Sequence, residues 1–276
     1  MGMKLYVCPN TARENQLAAA RHCISVLENR MGAVCVLAPE TSQVLFGGAH
    51  GPALSPADCD LIVSIGGDGA VLRAAQTAVT CDKPMLGINA GRLGYLCALD
   101  ETDLEALPVA HWLDTLALSN RSLLAFSYNG QSHVALNDVV VTKNNFGSTV
   151  SLQVMRQGRE FAAWRGDGLI LSTPTGSTSY CLSAGGPIVD PVLNAIILTP
   201  ICPHFGDARA SILSGAESVT VSVRDAHANE ACIYADGTRI GLLTEPLTVR
   251  QYEKPLRLYA KSAVFHGLRL AQRDAE

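Results

Sequence analysis

A strand, a glycine turn and a helix follow one another without a gap early in the sequence. Leu61–Ile65 is almost wholly apolar, which is typical of a strand buried on both faces of a sheet. Gly66-Gly67-Asp68-Gly69 follows directly, and a helical stretch then continues to about Thr80. In a parallel α/β layer, strand ends and helix N-termini lie at one edge of the sheet. The sequence therefore predicts such a layer, with the glycine turn at that edge.

Strand and helix signals alternate on both sides of this unit. Further short strands are predicted at Lys4–Cys8, Ala33–Leu37 and Pro84–Ile88. Between the first two, apolar residues recur at the three- and four-residue intervals of a helix. Thr11 and Glu14 have the spacing of a capping box at the start of this helix. The first hundred residues are thus predicted to form an α/β domain.

The pattern changes after Asp100. Glu101–Leu118 begins as a helix that Pro108 interrupts, and strand signals dominate from Arg121 onward. Residue pairs typical of two-residue hairpin turns separate several of these strands. A β-rich second part is therefore predicted, with a boundary near residues 100–120 and no long linker. The predicted strands are Leu123–Tyr128, Val134–Lys143, Thr149–Arg156, Phe161–Trp164, Leu169–Ser172, Ser218–Val223, Ala231–Ala235 and Leu247–Gln251, and the turns are Asn129-Gly130, Gln157-Gly158 and Asp236-Gly237.

The composition argues against several classes of function. The 276 residues are 48% apolar, which is enough for a folded core, and 21 basic residues face 25 acidic ones. The net charge of −4 and an aromatic content of 5% argue against nucleic-acid binding. Apolar runs stay well below the ~20 residues of a membrane span. Nine scattered cysteines without a C-x-x-C pair, and seven histidines without metal-ligand spacing, favour a cytoplasmic protein with no resident metal.

The glycine turn is the first candidate site. Gly66, Gly67 and Gly69 allow a phosphate to approach the backbone closely, and the following helix N-terminus attracts an anion. Asp68 repels a phosphate unless a cation or a hydroxyl lies between them, which indicates phosphoryl transfer with Mg²⁺ as the bridge. Arg73, one turn into the helix, is placed to reach phosphate oxygens. A simple strand–helix turn with Asp68 as a helix cap is the alternative.

Two polar positions beside apolar strands are weaker candidates. Asn89, in the loop Gly87–Tyr95, is placed to bind a polar ligand if neighbouring strand ends line one crevice. Asn137 and Asp138 precede the apolar run Val139–Val141, and adjacent side chains of a regular strand point to opposite faces. Both can contact one ligand only if the backbone turns there. Ordinary strand ends with local turn hydrogen bonds are the alternative at both places.

The segment Trp164–Pro191 is the most distinctive part of the sequence. Serines and threonines dominate Ser172–Ser183, which also contains Tyr180. Hydroxyl groups and an aromatic ring suit the sugar and base of a nucleotide, and Asp167 is available to accept a hydrogen bond from an amide. The alternatives are a hydroxyl-rich helix cap and a serine nucleophile, although the segment lacks the G-x-S-x-G elbow.

Five segments of the sequence occur in the order GGDG, GINAGRLGYL, LNDVVV, DGLILSTPTGSTSYCLSAGGPIVDP and TPICPH. Together, over roughly residues 60–205, they resemble the NAD kinase family. Members of this family phosphorylate the 2′-hydroxyl of the adenosine ribose of NAD with ATP or polyphosphate. GGDG is shared with diacylglycerol kinase-like and phosphofructokinase-like proteins. TPTGSTSY is much more specific to the NAD kinases.

The resemblance implies a Rossmann-like parallel α/β domain, residues 1–100, that binds the phosphate donor, with 255–276 packing back on it. It also implies a β-sandwich-like domain, residues 101–254, that binds NAD and forms a homodimer or homotetramer. Asp68 would be the catalytic base, with Gly69 and Arg73 beside the phosphates of ATP and its Mg²⁺. The implied contacts to NAD are Asn137, Asp138, Arg165, Asp167, Thr175, Thr178, Ser179, Tyr180, Ser183, Cys202 and Thr238.

Three positions depart from the family pattern, and two other functions stay open. Ala70, Asp138 and Ser179 stand where threonine, glutamate and alanine are common in NAD kinases. A lipid or sugar kinase with a GGDG turn gives the hydroxyl-rich segment no evident role. A non-catalytic NAD(P)-binding regulator has no need of Asp68 beside a phosphate. ATP and polyphosphate as donors, and NAD and NADH as acceptors, fit the sequence equally.

Overall fold

The computed structural model describes residues 2–91, 94–204, 208–224 and 231–260. These residues form two compact units that divide between Asn120 and Arg121. The strand Leu256–Ala260 belongs to the first unit, and the chain from Arg121 to Pro255 belongs to the second. The rest of the expected C-terminal segment, 261–276, lies outside the described residues. None of the helices in the described residues is long and apolar enough to cross a membrane.

The first unit is a parallel sheet with helices packed on it. In the described residues, the strands of this unit are β1 (Lys4–Pro9), β2 (Val34–Val36), β3 (Leu61–Ile65), β4 (Met85–Asn89), β5 (Leu99–Asp100), β6 (Ala117–Arg121) and β19 (Leu256–Ala260). Its α-helices are α1 (Glu14–Asn29), α2 (Pro39–Phe46), α3 (Asp68–Thr80) and α4 (Asp103–Ala106). The seven strands form one sheet in the order β2-β1-β3-β4-β19-β6, with β5 beside β4. Strand β1 pairs in parallel with β2 and β3, and β4 pairs in parallel with β3, β5 and β19. Every residue of β3 and β4 is buried, because both strands are central. The predicted parallel α/β domain is confirmed.

One local prediction in this unit is wrong, another is confirmed, and one helix was missed. The capping box does not form, since α1 begins at Glu14 with Arg13 as its N-cap and no side-chain cap. Glu101–Leu118 begins with the four-residue helix α4, which ends before Pro108 as predicted, and continues through a short 3-10 helix to the start of β6. Helix α2 was not predicted, although Pro39 in its first turn and Gly47 at its end are ordinary signals of helix boundaries.

The second unit consists of two antiparallel sheets. Val139 and Leu169 of one sheet share a single buried core with Leu152 and Val219 of the other, so the predicted β-sandwich-like domain is confirmed. One sheet has the order β11-β10-β15-β18-β7-β8 and the other β14-β13-β12-β9-β16-β17. The elements are β7 (Leu124–Tyr128), β8 (Gln131–Ala135), β9 (Asp138–Lys143), β10 (Val150–Arg156), β11 (Arg159–Gly166), β12 (Gly168–Ser172), α5 (Tyr180–Ser183), β13 (Ala195–Ile201), β14 (Ser211–Ser214), β15 (Ser218–Val223), β16 (Ala231–Ala235), β17 (Thr238–Leu242) and β18 (Leu247–Gln251).

All three predicted hairpin turns are present. Asn129, Gln157 and Asp236 have φ values of 49°, 50° and 46°, and each is followed by a glycine with positive φ. Two consecutive left-handed residues define the turn that matches the twist of a hairpin. These turns connect β7 to β8, β10 to β11 and β16 to β17.

The single strand predicted over Val134–Lys143 is wrong in a way that matters for the site. Ala135 ends β8 in one sheet, and Asp138 begins β9 in the other. The chain therefore crosses between the two sheets at Leu136 and Asn137. Apolar residues flank the polar pair Asn137-Asp138 on both sides, which is why the whole stretch was predicted as one strand. Strands β13, β14 and β17 were not predicted.

Candidate functional site

The glycine turn follows β3 as predicted and opens α3. Gly66 has φ +148°, and a β-carbon there would come within 3.0 Å of Ala70 and Asn10. Gly67 is the N-cap of α3, with no side-chain cap. Any other residue at position 66 would strain the turn and collide with its neighbours. The turn therefore brings the helix N-terminus directly to the end of β3.

A cleft of about 130 Å³ lies beside this turn. Cys8, Pro9, Ala70, Arg73 and Ala74 line it, so it lies between the end of β1 and the first turns of α3. The guanidinium of Arg73 lies 3.8 Å from the position that a β-carbon on Gly69 would occupy. An exposed cation and a helix N-terminus beside a cleft favour an anionic ligand such as phosphate.

Asp68 does not cap its own helix. Its Oδ2 accepts the backbone N–H of Tyr95, and its Oδ1 accepts that of Leu96, each at 3.0 Å. The carboxylate is half-buried and is oriented by the loop after β4. The alternative in which Asp68 serves as a helix cap is therefore wrong. One amide on each carboxylate oxygen stabilises the anion and limits its rotation.

Asn89 lies at the end of β4, in the strand next to β3. Its side-chain amide donates to Asp100 at 3.0 Å, and the residue is 6% exposed. Its Oδ1 has no hydrogen-bond partner among the described residues. A buried carbonyl oxygen without a donor is costly, so this atom is available to a ligand. Arg92 and Leu93 of the same loop lie outside the described residues.

Asn137 and Asp138 lie at the crossover between the two sheets, so the backbone does turn there. Both residues are buried, at 8% and 5% exposure. The carboxylate of Asp236 accepts the backbone N–H groups of Leu136, Asn137 and Asp138, at 2.8, 2.7 and 3.2 Å. Burial, and then the charge of Asp236, raises the pKa of Asp138 to about 7. Burial also raises the pKa of Asp236, although its three N–H donors act against this.

The hydroxyl-rich segment packs against the same crossover. The backbone N–H of Thr173 donates to the carbonyl of Asn137 at 2.9 Å, and its hydroxyl donates to that of Leu136 at 2.6 Å. Ser172 donates its hydroxyl to the carbonyl of Asn137 at 3.1 Å. Several of these hydroxyls thus stabilise the backbone. Thr175 differs, because its buried Oγ1 has no partner among the described residues.

Tyr180, Asp138, Asp167 and Cys202 lie close enough to interact electrostatically. Burial, followed by the negative charges of Cys202, Asp167 and Asp138, raises the pKa of Tyr180. The ring of Tyr180 is 43% exposed. The structure therefore brings together four of the residues predicted to contact the dinucleotide. Ser179 and Ser183, at the two ends of α5, are exposed, and Thr178 is half-buried.

Asp167 is also paired with Lys143 at 2.7 Å. The remaining predicted residues have other partners or lie further along the sheets. Arg165 donates to the hydroxyl of Thr149 at 2.6 Å. Thr238 begins β17 and is exposed. Within the described ranges, no three histidine, cysteine or acidic side chains cluster closely enough to hold a metal ion.

Sequence reasoning missed Asp236, which has more contacts to the crossover than any predicted residue. Asp236-Gly237 was assigned only as a turn, and the signal for more was weak. A hairpin aspartate usually stays local. Only the pairing of β16 with β9 brings this turn to the crossover, and strand pairing is not readable from one sequence.

Comparison with known proteins agrees with this architecture. Residues 3–108 match the family model of the ATP-NAD kinase N-terminal domain, and residues 136–250 match that of the ATP-NAD kinase C-terminal domain. An NAD kinase of Prosthecochloris aestuarii is 34% identical over 264 residues, which are 93% of this chain and 91% of that relative. Three further NAD kinases, at 34% to 36% identity, align over about two thirds of their own length.

Two solved structures share the fold. The NAD kinase from Archaeoglobus fulgidus in complex with ATP has a TM-score of 0.73 at 25% identity and covers 97% of both chains. Yeast NADH kinase complexed with NADH has a TM-score of 0.80 at 22% identity, covering 95% of this chain and 84% of its own. The fold, an α/β unit followed by a unit of two antiparallel sheets, is thus shared with solved kinases of NAD and NADH. This chain belongs to the NAD kinase family. The predictions of an enzyme and of NAD kinase function are confirmed.

Proposed function

We propose that this chain transfers the terminal phosphoryl group of ATP, or of polyphosphate, to the 2′-hydroxyl of the adenosine ribose of NAD, with Asp68 as the catalytic residue. The observation that carries the assignment is the half-buried carboxylate of Asp68, held beside the glycine turn by the N–H groups of Tyr95 and Leu96. A fixed carboxylate next to a phosphate-accepting helix N-terminus suits a hydroxyl nucleophile between the two.

The reaction makes a modest demand on the base. A bond forms between the ribose oxygen and the terminal phosphorus, and the bridging P–O bond to ADP breaks. A carboxylate is a weak base toward an alcohol, but a loose phosphoryl transition state needs little deprotonation before the bond forms. Asp68 therefore orients the hydroxyl and accepts its proton late. Arg73 and the N–H groups around Gly67 and Gly69 neutralise the phosphate charge.

Mg²⁺ enters as part of the nucleotide substrate. The ion prefers phosphate oxygens, water and one or two carboxylates over an all-protein cage. The described residues contain no three-residue metal cluster but do contain Asp68 beside the cleft, which fits that preference. Bound with ATP, the ion supplies charge neutralisation on the phosphates.

We assign donor binding to residues 1–100, with 255–276, and dinucleotide binding to residues 101–254. The first assignment uses Gly66, Gly67, Gly69, Arg73 and Asn89, whose Oδ1 needs a donor. In the second, the unpartnered Thr175 hydroxyl and the exposed ring of Tyr180 support ligand contact. The other proposed dinucleotide contacts are Asn137, Asp138, Arg165, Asp167, Thr178, Ser179, Ser183, Cys202 and Thr238.

A homodimer or homotetramer in the cytoplasm completes the proposal. Val192 and Leu193, just before β13, are 75% and 54% exposed, and Ile212 on the edge strand β14 is 56% exposed. Large exposed apolar side chains at a sheet edge favour association with a second copy. The cytoplasm would keep the nine cysteines as the free thiols that the structure has. Sedimentation velocity tests the oligomeric state.

Incubating the purified protein with NAD, ATP and Mg²⁺ and measuring NADP by chromatography tests the assignment. NADP formation is expected, and polyphosphate and NADH are supplied in parallel reactions. Tight NAD binding without any NADP would indicate a regulator instead. Phosphorylation of a lipid or sugar without NAD binding would indicate another GGDG kinase.

A further inference from the structure

Asp236 holds the crossover at Leu136–Asp138 from one side. Its two carboxylate oxygens accept three consecutive backbone N–H groups, and its own N–H donates to the carbonyl of Asp138 at 3.0 Å. Hydrogen bonds to an ionised acceptor are about twice as strong as neutral ones. Four contacts from one residue therefore fix the backbone to which the Asn137 and Asp138 side chains are attached.

The carbonyl groups of the crossover are also hydrogen-bonded. The carbonyls of Leu136 and Asn137 accept hydrogen bonds from Ser172 and Thr173 of the hydroxyl-rich segment. The β16–β17 hairpin thus accepts hydrogen bonds from the backbone N–H groups of the crossover, and the end of β12 with the residue that follows it donates to the carbonyls. Removing Asp236 would leave three buried or partly buried N–H groups without an acceptor.

We propose that Asp236 is a positioning residue of the dinucleotide site, which sets the placement of Asn137 and Asp138 by binding the backbone of the crossover through its carboxylate. This inference rests on the proposed role of Asn137 and Asp138 in NAD binding. Asp236 itself acts through those two residues and is not assigned a contact to substrate.

The carboxylate also acts on Asp138 electrostatically. The titratable groups that face Asp138 are Asp236 from the hairpin and Tyr180 and Cys181 from α5. The neighbouring residue across β12 is the neutral Ser172. Because Asp236 is a negative neighbour, removing its charge lowers the pKa of Asp138. A carboxylate that must be ionised to accept ribose hydroxyls would then remain active at lower pH.

The test is Asp236→Asn, assayed by initial rates with NAD and ATP varied separately over pH. Asparagine fits the left-handed turn, since Asn129 has the same conformation in the β7–β8 hairpin. The variant loses the charge and presents an NH₂ group to a backbone donor. We expect the KM for NAD to rise about tenfold or more, with the KM for ATP changed less than about twofold. The acidic limb of kcat/KM for NAD should shift to lower pH by at least about half a unit.

Asn129→Asp is the matched control, because it makes the reverse exchange in an exposed turn of the same type, and it should change neither constant. An unchanged KM for NAD in folded Asp236→Asn overturns the proposal. The proposal is also overturned if the melting temperature and kcat fall, the KM values for NAD and ATP change by equal factors, and the acidic limb does not shift. That result would indicate a purely structural role.

A second variant covers a failure of Asp236→Asn to fold. Asp236→Glu keeps the charge but is one methylene longer, so it should raise the KM for NAD and leave the acidic limb near that of the wild type. An unchanged KM for NAD in folded Asp236→Glu overturns the proposal as well. If the wild type forms no NADP, the proposed function fails, and calorimetric NAD binding by the same variants then tests Asp236 separately.

Discussion

Gly94 lies against the carboxylate of Asp68 with no space between them for a β-carbon. The next two residues, Tyr95 and Leu96, donate their backbone N–H groups to that carboxylate at 3.0 Å. The loop after β4 and the acid at the start of α3 therefore form one hydrogen-bonded arrangement. Since the carboxylate is the proposed base, its orientation depends on a glycine that is distant in sequence.

Gly94→Ala should lower kcat by about 10²-fold, because the new methyl group displaces the Asp68 carboxylate and disrupts both N–H hydrogen bonds. NAD affinity should change little. Initial-rate kinetics with calorimetric NAD binding measure the two effects separately. Gly91→Ala in the same loop is the control, since a β-carbon there would meet no atom of the described residues within 4 Å. Equal rates for Gly94→Ala and Gly91→Ala would show that the orientation of Asp68 is unimportant.

Asp68→Asn tests the acid directly. The side chain keeps its size and one acceptor oxygen, but it no longer accepts the proton of the hydroxyl. We expect kcat to fall by ~10²–10⁴-fold with NAD affinity largely retained. Asp114→Asn, in the same unit and 78% exposed, should have no effect. Near-normal turnover in Asp68→Asn would remove the catalytic role from this residue.

The fold was predictable wherever the sequence signal is local. Strand β3 was predicted with its observed bounds, and the turn and α3 follow it as expected. A fully apolar run bounded by glycines has few other structures available to it. The hairpin turns at Asn129, Gln157 and Asp236 were predictable for the same reason, because residue pairs with left-handed preference signal them directly.

The candidate site was less predictable, because it depends on contacts between distant segments. The polar pair Asn137-Asp138 interrupts the apolar residues locally, but it does not show that the chain changes sheets there. The sequence near Asp236 also does not indicate that its carboxylate binds backbone N–H groups of residues 98 to 100 positions earlier in the chain. Asp68 was identified from its position, but its partners in the loop after β4 required the structure.

Tyr180→Ala should weaken NAD binding about tenfold, because the ring is proposed to pack on the dinucleotide. Isothermal titration calorimetry measures the dissociation constant without dependence on turnover. Phe161→Ala is the control, because Phe161 has a similar exposure, 38% against 43% for Tyr180. Phe161 lies on β11, in the sheet that does not contain β12, the strand that precedes α5. An NAD affinity equal to that of the wild type would exclude Tyr180 from the binding site.

Asp138 should make the protein less stable as pH rises. Burial and the charge of Asp236 raise its folded-state pKa from 3.8 to about 7, so the folded protein retains a proton that the unfolded chain releases. The unfolded state therefore binds fewer protons between about pH 4 and pH 7, and the free energy of unfolding falls across that window. Below it the penalty vanishes, and above it the penalty is constant at a few kcal/mol.

Asp138→Asn removes this titration and isolates the effect. The melting temperature of the variant minus that of the wild type should increase from pH 4 to pH 7 and then level off. Differential scanning calorimetry across pH 4–8 measures it. Glu253→Gln, with a side chain 81% exposed, should give a flat difference over the same range. A flat difference for Asp138→Asn as well would mean that Asp138 is ionised in the folded protein at all these pH values. Asp236 would then not raise its pKa, and the electrostatic part of the positioning role would fail while the hydrogen bonds to the crossover remained.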